Sequence, residues 1–118
     1  LKNKPTFCLA TVCKNEEVCI QRLLESVCDF IDYWVIVDTG STDRTKEIVR
    51  EFFAEKGIPG ELVEHEWVGF DHNKSLMMEA AYGKSDYVIH LDADDWLMGN
   101  LDNIALPWWP FGYTAFLP

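Results

Sequence analysis

The feature that most constrains this chain is an alternation. Short apolar runs, too brief for helices, alternate with segments whose apolar residues recur at helical spacing. Residues 6–12, 33–37 and 86–91 are rich in β-branched and aromatic residues, so they read as buried strands. Residues 61–67 have a mixed pattern and read as an edge strand. Between the first two runs, residues 16–27 put Ile20, Leu23, Leu24 and Val27 on one face. Asn15 is placed to cap that helix, and Glu16 and Glu17 suit the positive end of its dipole. A second helix, over residues 43–56, lines up Ile48, Val49, Phe52 and Phe53; Gly57 stops it and Pro59 blocks its continuation. A third, over residues 73–82, turns Leu76, Met77, Ala80 and Ala81 inward, with Gly83 at its end.

The order β-α-β-α-β-α-β predicts an α/β fold: a Rossmann-like, mostly parallel sheet with helices on both faces. Right-handed crossovers carry the C-terminal ends of the strands to one edge. Ligands of such sheets bind at that edge, where the strand order reverses. Residues 11–15, 38–43 and 92–95 are therefore expected around one crevice, although they lie far apart in sequence.

The chain has 118 residues, enough for one domain, with 48% apolar and 25% charged residues, a globular balance. The net charge of −10 argues against nucleic acid as a partner, because phosphate binding runs on Lys and Arg. Cysteines 8, 13, 19 and 28 match no C-x-x-C spacing and read as reduced thiols of a cytoplasmic protein. No run reaches the roughly 18–20 apolar residues of a membrane span. The run after Lys2 and Lys4 is broken by Lys14, Asn15, Glu16 and Glu17, so it does not read as a secretory signal. The start at Leu1 implies that the natural chain was trimmed or begins earlier. Residues 106–118 change character: three prolines among aromatic residues exclude a regular helix, and the segment reads as a strap or strand packing on the domain or on missing segments of the full protein.

The strongest chemical motif is Asp92-Ala93-Asp94-Asp95 after an apolar strand. Three carboxylates so close repel one another, and a divalent cation with a preference for oxygen ligands removes that repulsion. Mg²⁺ and Mn²⁺ commonly take one or two carboxylates and complete their shell with water and phosphate oxygens, so Asp-x-Asp at a strand end suits a metal–diphosphate complex. The competing reading is a solvated, capped turn. Asp38 ends another buried strand on the same edge; it can either accept hydrogen bonds from a base or ribose, or cap the turn 39–42. Ser41, Thr42 and Asp43 read as caps of the second helix. Lys74, near the start of the third helix, can neutralise a phosphate or stand exposed, and His72 and His90 lack metal partners in sequence. Dinucleotide, P-loop and nucleophile-elbow glycine patterns are absent, which removes the main support for a dehydrogenase, an NTPase or an α/β-hydrolase.

Taken together, Lys14-Asn15-Glu16-Glu17 after the first strand, Val35 to Asp43, Asn73-Lys74, and Leu91 to Asp95 resemble, in content and order, family 2 glycosyltransferases of the GT-A fold. The resemblance covers residues 6–100. It implies a nucleotide-sugar-binding half-domain over residues 1–105, followed by the aromatic tail. It implies that Thr11, Val12 and Cys13 line the base pocket with Glu16 beside it, and that Asp38 binds the base. Asp92 with Ala93 would contact the ribose, with Asp92 also reaching the metal through water, and Asp94 would ligate Mn²⁺ or Mg²⁺ directly. Asn73 and Lys74 would contact phosphate or base, Lys in place of the family's usual Arg giving up a bidentate contact. The implied reaction is transfer of a sugar from a nucleoside-diphosphate sugar to an acceptor hydroxyl of a glycan, protein or lipid, with inversion, the metal stabilising the departing diphosphate.

The chain departs from the family pattern after Asp95. The catalytic base normally lies in a second half, whereas here only residues 96–118 follow, with Asp102 as their sole carboxylate. Donor binding is thus the firmer expectation than turnover. The alternatives are a non-catalytic nucleotide-sugar-binding or protein-interaction module, a Mg²⁺-dependent nucleotidyltransferase, and an aspartate-based phosphatase. The last would need its motif at the first strand, with Thr or Val where Trp96 stands.

Overall fold

The computed structural model describes residues 5–94 and the backbone of Thr114 and Ala115. Its elements are β1 (Phe7–Cys13), α1 (Ile20–Val27), β2 (Tyr33–Asp38), α2 (Thr45–Lys56), β3 (Gly60–Glu64), α3 (Phe70–Ala81), β4 (Tyr87–His90) and β5 (Thr114–Ala115). They form one sheet in the order β3-β2-β1-β4-β5, and every pairing is parallel. The predicted architecture is the observed one. The remainder of the tail 106–118, with Asp95 and Asp102, lies outside the described residues.

Pleating divides the apolar residues of β1 between two cores. Phe7, Leu9 and Cys13 pack with Ile20, Leu23, Leu24 and Val27 of α1 and with Val49, Phe52 and Phe53 of α2. Cys8 and Ala10 pack on the opposite face with Val35, Val37, Met77 and Ala81. Helices α1 and α2 therefore cover one face and α3 the other. The chain leaves β1 towards β2 on one side and returns through α3 to β4 on the other. The order reverses between β1 and β4, which opens a crevice beyond their C-terminal ends.

All three helix starts differ from the expected ones, α2 least, at Thr45 rather than residue 43. α1 begins at Ile20 because residues 17–19 form turns first, with Ile20 N donating to Glu16 O at 2.8 Å. α3 begins at Phe70, a turn before Asn73. The stop at Gly57 is as read: it adopts φ 72° and donates its N–H to Phe53 O at 2.9 Å. Among the described residues, no helix is long and apolar enough to cross a membrane.

Edge strand β3 is fitted against one large side chain. Trp34 stacks on Phe53 with ring centroids 4.4 Å apart, and its Nε1 donates to Ile58 O at 2.9 Å. Gly60 sits opposite Trp34 in the ladder, and a Cβ at residue 60 would collide with both the indole and the Trp34 carbonyl oxygen. A rigid ring and a backbone atom cannot yield cheaply. Gly60→Ala is expected to lower unfolding free energy by about 1–3 kcal/mol, the usual cost of overpacking, read as a lower urea midpoint at unchanged slope.

Candidate nucleotide and metal site

Two loops make the floor of the crevice. After β1, Asn15 takes a left-handed conformation with φ 53°, which turns the chain sharply towards α1. Three successive amides then donate to side chains of the β2–α2 loop: Asn15 N to Ser41 Oγ at 2.8 Å, Glu16 N to Thr45 Oγ1 at 2.8 Å, and Glu17 N to Asp43 Oδ2 at 3.2 Å. The exchange is reciprocal. Asn15 Oδ1 accepts from Thr42 N at 2.7 Å and Asp43 N at 3.3 Å, and Glu17 Oε1 accepts from Arg44 N at 2.9 Å. Each helix approach thus supplies acceptors for the amides that the other leaves unpaired. Asn15 serves the approach to α2, not the start of α1 as read from sequence. A short polar residue at a left-handed position marks a bend, but its partner lies 27 residues away.

Asp38 closes the floor. It is buried, and its Oδ1 accepts from Gly40 N at 3.0 Å and Ser41 N at 2.8 Å. Its Oδ2 accepts from Ser41 Oγ and, weakly, from the Cys13 thiol at 3.9 Å. Of its two sequence readings, the geometry realises the turn cap. Burial, followed by the charge of Asp38, pushes the Cys13 thiol up to about 12. Cys13 therefore remains a protonated, unreactive wall; Cys8, on the other face, is likewise pushed to about 12, mainly by burial. All four cysteines are free, as expected.

Above this floor lies an open cleft of about 400 Å³, lined among the described residues by Val12, Cys13, Lys14, Glu16, Thr39 and Trp67. Val12, Cys13 and Glu16, expected near a base pocket, are among these lining residues. Thr11 is not in the lining: it is fully buried and still inside the ladder, opposite Ile36. The strand runs to Cys13, so the pocket starts one residue later than read. Lys14, Thr39 and Trp67 are lining residues that the sequence pattern did not single out. The mixed pattern puts Trp67 in the edge strand, but β3 ends at Glu64 and leaves Trp67 in a loop, 54% exposed.

Asn73 also has another task than the expected donor contact. It is fully buried; its Oδ1 accepts from Val68 N at 2.9 Å and Gly69 N at 3.2 Å, and its Nδ2 donates to Glu66 O at 3.1 Å. It fastens the 66–69 loop to α3. Lys74 is outside the described lining, its ammonium 5.8 Å from the centroid of the Phe70 ring.

The Asp92–Asp94 turn follows β4 directly. Asp92 and Asp94 are exposed, while Ala93 between them is buried. The two carboxylates reach solvent from a turn anchored by an apolar residue. The turn faces the β1–α1 loop: desolvation, followed by the charges of Asp94, Asp43 and Asp92, raises the pKa of Glu16. From α1, Arg22 Nη2 donates to Asp94 O at 3.0 Å, a tie that helical periodicity alone did not reveal. No group of three or more His, Cys, Asp or Glu side chains among the described residues is arranged to hold a metal ion. Two exposed carboxylates nevertheless fit a hard cation that completes its shell with water and phosphate oxygens.

Residues 8–109 match the sequence profile of glycosyl transferase family 2. The chain belongs to that family. An uncharacterized glycosyltransferase of Rickettsia bellii is 30% identical over 92 residues, 78% of this chain and 29% of the relative. A TPR repeat-containing protein of Synechococcus elongatus is 33% identical over 91 residues, 76% of this chain and 21% of that protein. The family 2 chain thus spans less than a third of the length of these relatives. Among solved structures, mannosyltransferase PcManGT from Pyrobaculum calidifontis, in complex with GDP-Man and Mn²⁺, superposes with a TM-score of 0.68 at 25% identity, over 80% of this chain and 29% of that one. Staphylococcus aureus TarS 1–349 in complex with UDP gives 0.58 at 25% identity, over 77% and 28%. The fold is the Rossmann-like α/β sheet of the GT-A type.

Two outcomes follow for this family 2 chain. Asn15→Ala removes an acceptor shared by two amides and the residue type that tolerates φ 53°. It is expected to cost about 1–2 kcal/mol by chemical denaturation, with Asn15→Asp retaining most of the stability. Because the folded pKa of Glu16 lies above its unfolded value, ionising Glu16 costs stability as pH rises through the folded value. Without metal, Glu16→Gln is therefore expected to melt higher than the parent at pH 7, the gain fading as pH falls below the ordinary carboxylate value. A gain that persists unchanged at low pH would contradict this origin.

Proposed function

We propose that this chain is the donor-binding part of a metal-dependent glycosyltransferase, which moves a sugar from a nucleoside-diphosphate sugar to an acceptor hydroxyl with inversion. The observation that carries the reading is the convergence at the strand-order reversal. The 12–16 segment and the turn capped by Asp38 border one cleft, and the Asp92–Asp94 turn, outside its described lining, is tied to α1 through Arg22 and lies close enough for its charges to act on Glu16. The mannosyltransferase neighbour with GDP-Man and Mn²⁺, and TarS with UDP, support a nucleotide and a divalent cation at such a site.

In this reading Asp94 holds Mn²⁺ or Mg²⁺ directly, and Asp92 contacts it through water or binds the ribose, with Ala93 beside it. The cation supplies Lewis acidity that stabilises negative charge on the leaving diphosphate. The chain's own residues do the rest. Val12 and Thr39 flank the base, Lys14 brings positive charge to the cleft, and Asp38 governs base choice by fixing the Thr39–Ser41 turn. The pKa of Glu16 is raised by desolvation and then by its acidic neighbours, and a cation that screens those neighbours would relieve the second effect. Arg22 steadies the Asp94 backbone. No described residue is assigned to take the acceptor proton.

Calorimetry with a panel of nucleoside diphosphates, with and without Mn²⁺, tests the proposal. Binding is expected to require metal and to weaken by more than about tenfold in Asp94→Ala. Metal-independent binding, or none to any nucleotide, would overturn it. Asp38→Ala is expected to change the ranking among bases more than the metal requirement; equal loss for every base would remove Asp38 from base selection.

A further inference from the structure

Among the described lining residues, Trp67 is the largest apolar side chain. A tryptophan usually buries most of its area, yet this one is 54% exposed. Its neighbours in sequence are exposed too, Val68 at 55% and Phe70 at 60%, but Trp67 is the one of the three that lines the cleft. The loop carrying it is also costly to hold. Fully buried Asn73 commits three hydrogen bonds to Glu66, Val68 and Gly69, the residues on either side of Trp67. A buried amide devoted to an otherwise exposed loop fixes the direction in which that loop presents its side chain.

Around the indole the cleft is mixed. Val12 and Cys13 are apolar, the Thr39 hydroxyl and the Glu16 carboxyl are polar, and Lys14 is cationic. A flat heteroaromatic ring with hydrogen-bonding edges suits such a mixed apolar and polar setting. The β1 end supplies no aromatic side chain of its own.

Resting on the donor reading above, we propose that Trp67 is the stacking platform for the nucleobase of the donor, and that Asn73 is the positioning residue that sets it. Stacking alone is tolerant of sequence, because every base has a π-face, so Trp67 contributes affinity and leaves base choice to the cleft's polar edge.

The test is calorimetry on the full chain with UDP, GDP, uridine, guanosine and manganese pyrophosphate, comparing the parent with Trp67→Ala, Trp67→Phe and Asn73→Ala. Trp67→Ala is expected to bind nucleosides and nucleoside diphosphates about tenfold more weakly, while manganese pyrophosphate binds as before. Trp67→Phe should retain most of the affinity, and Asn73→Ala should follow Trp67→Ala in direction. Unchanged nucleoside diphosphate affinity in Trp67→Ala would overturn the stacking role while leaving the donor reading intact. Equal loss of manganese pyrophosphate would mark Trp67 as merely structural and overturn it too. If the parent bound none of the nucleotides, the donor reading itself would fall, and the stacking role with it.

Discussion

The structure depends on a mutual satisfaction of backbone amides. The chain leading into α1 and the chain leading into α2 both expose N–H groups that their own helices cannot pair. In many proteins each helix would be capped locally. Here Asp43 caps the start of α2 locally, its Oδ1 accepting from Thr45 N at 2.9 Å, and the helix approaches also cap one another: Ser41, Asp43 and Thr45 serve residues 15–17, and Asn15 and Glu17 serve residues 42–44. The arrangement is possible because β1 and β2 are adjacent and parallel, so both helices start at the same edge. It also places Glu16 and the β1 end where the Asp92–Asp94 turn can face them.

Around that clasp, each element has a separate duty. β1 gives its alternate residues to two cores, and so holds α1 and α2 on one face and α3 on the other. Asp38 commits its carboxylate to the turn after β2. Asn73 commits its amide to the loop before α3. Polar groups near the cleft such as Asp38 and Asn73 are therefore occupied in shaping it, and Lys14, Trp67, Asp92 and Asp94 are exposed.

Much of this was legible in the sequence, for a physical reason. Apolar spacing reports which face of an element is buried, and that is a local property. It located the strands and helices, the helix stop at Gly57 and the common edge. Polar side chains near the site were harder. Asn15, Asp38 and Asn73 could each face a ligand or a backbone amide, and the outcome depends on which amides the tertiary fold leaves unpaired. For Asn15 those amides belong to a loop distant in sequence. Trp67 was misplaced because a strand's end is weakly encoded when its pattern is mixed, and Thr11 because β1 continues one pleat further than its apolar run suggested.

The reciprocal capping has a mechanical consequence. Two loops that each hold the other's amides cannot move one at a time: displacing either breaks six hydrogen bonds at once. The rim of the cleft should then behave as a single stiff lever joined to the ends of both helices. A molecule settling into such a rim finds it already ordered and gives up little further conformational freedom on arrival.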